Sequence, residues 1–129
     1  MTRYLYGLHM MLDGPIDVVP SQEVAESIIS EAVDLAQMQI IKGPVYYQTG
    51  PHISCIAILA ESHCLLHVMA HTGGIYCFFD LYSCRRFQPA PIVSMLRERL
   101  HMTPRDYRLL RRTDAQDANA TLWRVPVGV

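Results

Sequence analysis

The chain has 129 residues, half of them hydrophobic and 18% charged, with a formal net charge of −1. That is enough for one domain with an ordinary apolar core and too little for two. The small net charge gives no electrostatic footprint for nucleic acid or an acidic membrane, no apolar run reaches the ~18 residues of a membrane span, and the composition is not that of a disordered chain.

Residues Arg3 to Leu12 alternate loosely and predict a strand, which Asp13-Gly14-Pro15 is expected to end. Pro20-Ser21 opens a helix whose apolar stripe is Val24, Ile28, Ala32, Leu35 and Ala36, with Glu23, Glu26, Glu31 and Asp34 mostly on the other side. Gln39 to Ile41 begin a second strand, broken by Gly43-Pro44. Ile53 to Ala60 and Cys64 to Met69 read as buried strands, Thr72-Gly73-Gly74 as a hairpin turn, and Ile75 to Tyr82 as an aromatic-rich strand. A second helix follows Pro89 and Pro91, with Ile92, Val93, Leu96 and Leu100 on one face. Asp106 to Leu110 and Leu122 to Val127 are short strands around a loop from Thr113 to Ala120. Consecutive strands flanked by helices favour an α+β, two-layer sandwich with a mainly antiparallel sheet.

His9 and Asp13 interrupt the first apolar stretch and no small-residue cleavage site follows, so no signal peptide is expected. Cys55, Cys64, Cys77 and Cys84 lack CxxC spacing and read as free thiols of a reducing compartment, which makes the expected location cytoplasmic. The arginines at 97, 99, 105, 108, 111 and 112 read as a solvated basic region, and Met10, Met11 and Met38 as core or gap filler.

Three polar residues, Glu61-Ser62-His63, stand between two apolar strands. A strand-to-strand turn explains them by themselves. Ser54, eight residues before Ser62, and His67, five after it, interrupt apolar strands as well, and Cys84 closes Asp80-Leu-Tyr-Ser-Cys. At these offsets the set resembles the prokaryotic S-adenosylmethionine decarboxylases, and Gly7-Leu8-His9 is similar to that family's opening Gly-x-His. The resemblance runs from about Gly7 to Cys84, with the stretch from His67 to Cys84 two residues longer than the family's usual spacing.

The resemblance implies a self-cutting enzyme. Ser62 would attack the carbonyl of Glu61, the chain would divide into residues 1–61 and 62–129, and Ser62 would become a covalent pyruvoyl group. That ketone forms a Schiff base with the α-amine of a small-molecule substrate and serves as the electron sink of a decarboxylase. His67 would remove the Ser62 α-proton, Ser54 would hydrogen-bond the tetrahedral intermediate, and Cys84 would return a proton to the substrate carbon. Family members dimerise, so a homodimer of processed protomers follows, with a place in polyamine biosynthesis. In a strict strand Ser62 and His67 have opposite parity and face different sides.

The family's adenosine-gripping residues are replaced. A Phe six residues before the matched serine is Gln48 here, and Thr-Trp-Pro-Glu after the matched histidine is Val68-Met69-Ala70-His71. Losing an aromatic wall removes about 1–3 kcal/mol of stacking per base contact. Some members of the family that the chain resembles decarboxylate L-arginine or L-ornithine, and by that resemblance the kept chemistry with the lost nucleoside grip leans to these substrates, whose cationic tail needs a carboxylate; Asp13, Glu31 and Asp80 are the candidates. The alternative substrate is S-adenosylmethionine itself, with Tyr46, Tyr47 or Tyr76 stacking on the adenine. Two other classes stand beside this one. His63, His67 and His71 at i, i+4, i+8 would face one side of a helix as metal ligands, although in a strand i to i+4 spans roughly 13 Å. An unprocessed, inactive homologue is the other.

Overall fold

In a computed structural model the chain forms β1 (Tyr6–Ile16), α1 (Gln22–Leu35), β2 (Ile40–Thr49), β3 (His52–Leu59), β4 (Ser62–His71), β5 (Gly74–Ser83), α2 (Pro89–Leu100), β6 (Asp106–Thr113) and β7 (Leu122–Pro126). The structure describes residues 6–104, 106–113 and 122–127. Of the loop expected from Thr113 to Ala120, Thr113 instead ends β6, and the rest, like Arg105, lies outside the described residues.

Ser21 caps α1, its hydroxyl accepting the Val24 N–H at 3.2 Å. The buried stripe of α1 is Ala25, Ile28, Ile29, Ala32 and Val33, one position round from the expected one, with Val24 and Leu35 at its margins. Two prolines in the first turn start α2, which buries Ile92, Val93, Met95, Leu96 and Leu100. Both helices cover one face of a seven-stranded sheet of order β2-β3-β4-β5-β1-β6-β7, every ladder antiparallel. The fold is therefore the expected α+β two-layer sandwich. β1 enters between β5 and β6, so the N-terminal strand holds two C-terminal strands together.

Two strands run through residues expected to break them. β1 continues past Gly14-Pro15 because β5 pairs it as far as Ile16, while the β6 ladder on its other side ends at Met11. A proline is tolerated on that half-paired stretch. β2 spans Gly43-Pro44, whose peptide bond is cis, with register shifts between Ile40 and Val45. It is an edge strand, where irregular pairing has only one neighbour to disturb.

Period-2 alternation sorts the strand residues. Ile53, Cys55, Ala57 and Leu59 of β3, Cys64, Leu66 and Val68 of β4, and Cys77, Phe79 and Leu81 of β5 are buried under the helices. Val45, Tyr47, Ile56, Ile58, Met69 and Phe78 project from the opposite face and are 38–67% exposed. Among the described residues nothing covers that open face.

Candidate active site

The β3–β4 connection is a two-residue turn, Ala60-Glu61, with Leu59 and Ser62 paired across it. Ser62 and His63 thus belong to β4 and not to a turn. Glu61 takes a left-handed backbone (φ 61°), which costs a residue with a Cβ about 1–2 kcal/mol. Beside it the Cys84 thiol donates a hydrogen bond to Glu61 Oε2 at 3.1 Å. That bond holds the Cys84 pKa above its ordinary value; partial burial adds to the shift and Arg85 opposes it.

Ser62 faces the helix layer and is buried, next to Ser83 across the β4–β5 ladder. The Ser83 hydroxyl accepts the Arg85 N–H at 2.8 Å. Ser62 Oγ has no hydrogen-bond partner among the described residues. Burying such a hydroxyl unpaired costs about 1–3 kcal/mol, which packing alone does not recover. An orphaned hydroxyl on the residue that follows a strained backbone fits the precursor of a group made from that serine.

Counting back from the turn, Ser54 and His67 are cross-strand partners on the open face, Oγ to Nδ1 2.9 Å. The direction of that bond is set by the imidazole tautomer. Tyr47, Phe78 and Asp13 continue the same row across β2, β5 and β1. Ser62 lies five residues along β4 from His67, roughly 16 Å at strand rise, and on the other face. The expected site residues therefore form two groups, Ser54–His67 and Glu61–Ser62–Cys84, which one chain does not bring together.

A second row of the open face runs Ile58, His63, Tyr82, His9. The rings of His63 and Tyr82 are stacked at 5.6 Å, His9 meets both edge-on at 6.2–6.3 Å, and the Arg112 guanidinium lies 5.1 Å from the centre of the Tyr82 ring. Gly7 makes room for this cluster, since a Cβ there would stand 2.5 Å from the Tyr82 ring. The Gly-x-His pattern thus has a packing cause. Burial lowers the His63 pKa, with His9 adding to the shift. The sequence singled out His9 but not Tyr82, and placed Arg112 only in a solvated basic region, whereas it lies over the Tyr82 ring; the shared parity of His63 and Tyr82 was the available signal.

The three candidate carboxylates separate clearly. Glu31 lies on α1, paired with Arg99 at 2.8 Å. Asp13 is paired with Arg108, and its pKa is nonetheless raised because burial outweighs the arginine. Asp80 faces the open side, 3.2 Å from His9 Nε2 but out of line for a hydrogen bond. At the other end of the face Met69, His71, Tyr76 and Phe78 line a cavity of about 330 Å³. His71 lies against Tyr76 at 5.3 Å, held by the Gly73 N–H on its Nδ1. Gln48 turns from this row, its Oε1 accepting the Tyr46 hydroxyl at 3.2 Å. Cys55, Cys64 and Cys77 are buried, and burial pushes Cys55 up to about 11 and the other two further. His63, His67 and His71 lie on a strand, and no group of three His, Cys, Asp or Glu among the described residues could hold a metal ion. No helix among them is long and apolar enough to cross a membrane.

A sequence profile described as S-adenosylmethionine decarboxylase matches residues 11–113. No curated protein matches the chain at a significant level. Among solved structures, the AdoMetDC-delta26 monomer of Trypanosoma brucei is similar at a TM-score of 0.49 and 16% identity, over 82% of this chain. The chain spans 45% of the length of that protein.

Proposed function

Because the chain belongs to the S-adenosylmethionine decarboxylase family, whose members are pyruvoyl-dependent carboxy-lyases, we propose that it cuts itself at Glu61–Ser62 and decarboxylates a small α-amino acid of polyamine metabolism. The observation that carries this reading is the buried, unpartnered Ser62 hydroxyl beside the left-handed Glu61 and the Cys84 thiol. In processing, Ser62 Oγ attacks the Glu61 carbonyl carbon and the peptide nitrogen leaves as the free amine, giving an ester. His67 takes the Ser62 α-proton, the Glu61 carboxylate departs, and water releases ammonia from residue 62. The pyruvoyl group so formed supplies the electron sink. Cys84 then returns a proton to the carbon that has lost CO2, and its raised pKa keeps the thiol protonated for that step.

The working unit in this proposal is a homodimer. Two copies joined by their apolar open faces about a two-fold axis cover Ile56, Ile58, Met69 and Phe78. Ser54 and His67 of one copy then serve the cut-site turn of the other, with Ser62 swung from the helix side to the open face, which removes the ~16 Å gap within one chain.

For the substrate we infer L-arginine or L-ornithine, with Asp80 as the partner of the cationic tail. It is the one candidate carboxylate on the open face without an arginine bound to it. A specific observation favours the second reading, S-adenosylmethionine: Tyr76 and Phe78 give the 330 Å³ cavity aromatic walls where the family's Trp is replaced by Met69. Among the described residues no carboxylate lines that cavity to hold a ribose.

Two measurements test the proposal. The intact mass of purified protein should show fragments 1–61 and 62–129 with a carbonyl at residue 62; a whole chain after long incubation overturns it. Arginine, ornithine and S-adenosylmethionine, assayed side by side, decide the substrate by kcat/KM.

A further inference from the structure

We infer that the Glu61 side chain, beyond lending its main-chain carbonyl to the cut, is a positioning residue that holds the Cys84 thiol protonated and aimed. The inference rests on the proposed role of Cys84 as proton donor. Its basis is geometric. Glu61 sits on the β3–β4 turn and Cys84 just past the end of β5, 23 residues apart in sequence, yet the thiol and Glu61 Oε2 are 3.1 Å apart. The left-handed backbone of Glu61 accompanies this aim. A glycine would take that conformation more easily but has no carboxylate.

A carboxylate accepting from a thiol favours the S–H form twice over, by the hydrogen bond and by repulsion of a thiolate. The charged groups acting on the thiol among the described residues are Glu61 and Arg85, and the first outweighs the second. The thiol hydrogen passes to the substrate carbon as the C–H bond forms, leaving Cys84 as thiolate until water reprotonates it. The same carboxylate speeds that reloading by making the thiolate the less stable form. The reaction leaves the Glu61 side chain chemically unchanged and adds an α-carboxylate at its new chain end, two residues beyond Leu59, the last residue of β3 paired with its neighbours.

The pair is tested by alkylation of Cys84 with iodoacetamide across a pH series, read by peptide mass. Cys84 is the one cysteine that is not buried. Glu61→Gln keeps a neutral acceptor but no charge to repel a thiolate, so Cys84 should be alkylated roughly tenfold faster near pH 8. Glu61→Asp, with its carboxylate drawn back, should fall between. Equal rates in all three proteins overturn the inference. Misfolding would show as alkylation of Cys55, Cys64 and Cys77. The same contrast measured in the uncut Ser62→Ala chain judges the pair even if the wild type never cuts, so failure of the enzymatic reading stays distinguishable. Where the wild type turns over substrate, the alkaline limb of kcat, measured per cut chain, should move to lower pH in Glu61→Gln.

Discussion

A hydroxyl buried without a partner costs stability, and Ser62 carries one at the start of β4. Ser62→Ala should therefore stay whole and melt no lower than an uncut wild-type chain; a clear fall in Tm would mean that the hydroxyl has a stabilising partner. Cys84 has the complementary profile. Cys84→Ala should still divide into its two fragments but turn substrate over poorly, releasing an aldehyde where the wild type releases an amine and leaving alanine at residue 62. Product analysis by mass checks this, and wild-type activity would remove Cys84 from the mechanism. Gly7 acts through space alone. Gly7→Ala pushes a methyl to 2.5 Å from the Tyr82 ring and should cost about 1–3 kcal/mol, read by denaturant unfolding. Most of that cost would come from unstacking Tyr82 from His63.

At the scale of the element, β4 joins the proposed cut site to the His63–Tyr82 cluster. The folded pKa of His63 lies below its usual 6.5. The unfolded chain then binds a proton that the fold resists, so stability is full above about 6.5 and declines as pH falls through the folded pKa. Thermal melts on an acid series should show the decline, and His63→Asn should flatten it. The hairpin also shows what could be read in advance. Taking Glu61-Ser62-His63 as the turn hides the Ser54–His67 pairing, whereas a turn at Ala60-Glu61 makes those two partners by antiparallel counting. Opposite parity of Ser62 and His67 was legible and holds, because the side-chain period of a strand is two. Gly14-Pro15 and Gly43-Pro44 misled for a different reason: local breaker chemistry yields where a neighbouring ladder continues or where the strand is an edge. The Glu61–Cys84 contact had no local signal at all. It depends on two chain ends of the sheet meeting in space.

The whole molecule exposes one apolar sheet face, and the proposed dimer is tested there. Phe78→Asp together with Ile58→Asp should sediment as a monomer and lose processing. Sharing of the site predicts complementation: Ser62→Ala and His67→Ala, each deficient alone, should when co-expressed yield fragments 1–61 from the His67→Ala chain. Absence of those fragments in a mixed dimer would assign His67 to its own chain. The strand order has a further consequence for the cut chain. From edge to edge, the strands belong to the first piece, first, second, second, first, second and second. Three ladders, β3 with β4, β5 with β1 and β1 with β6, therefore run between pieces. The halves of a cut chain would be interlaced and could not drift apart without opening the sheet. Once denatured, however, they become two molecules that must find each other at a rate set by concentration, and a residue 62 without its amine cannot be rejoined. Maturation would thus turn a reversible fold into an assembly that forms once, whose persistence is governed by how slowly it opens.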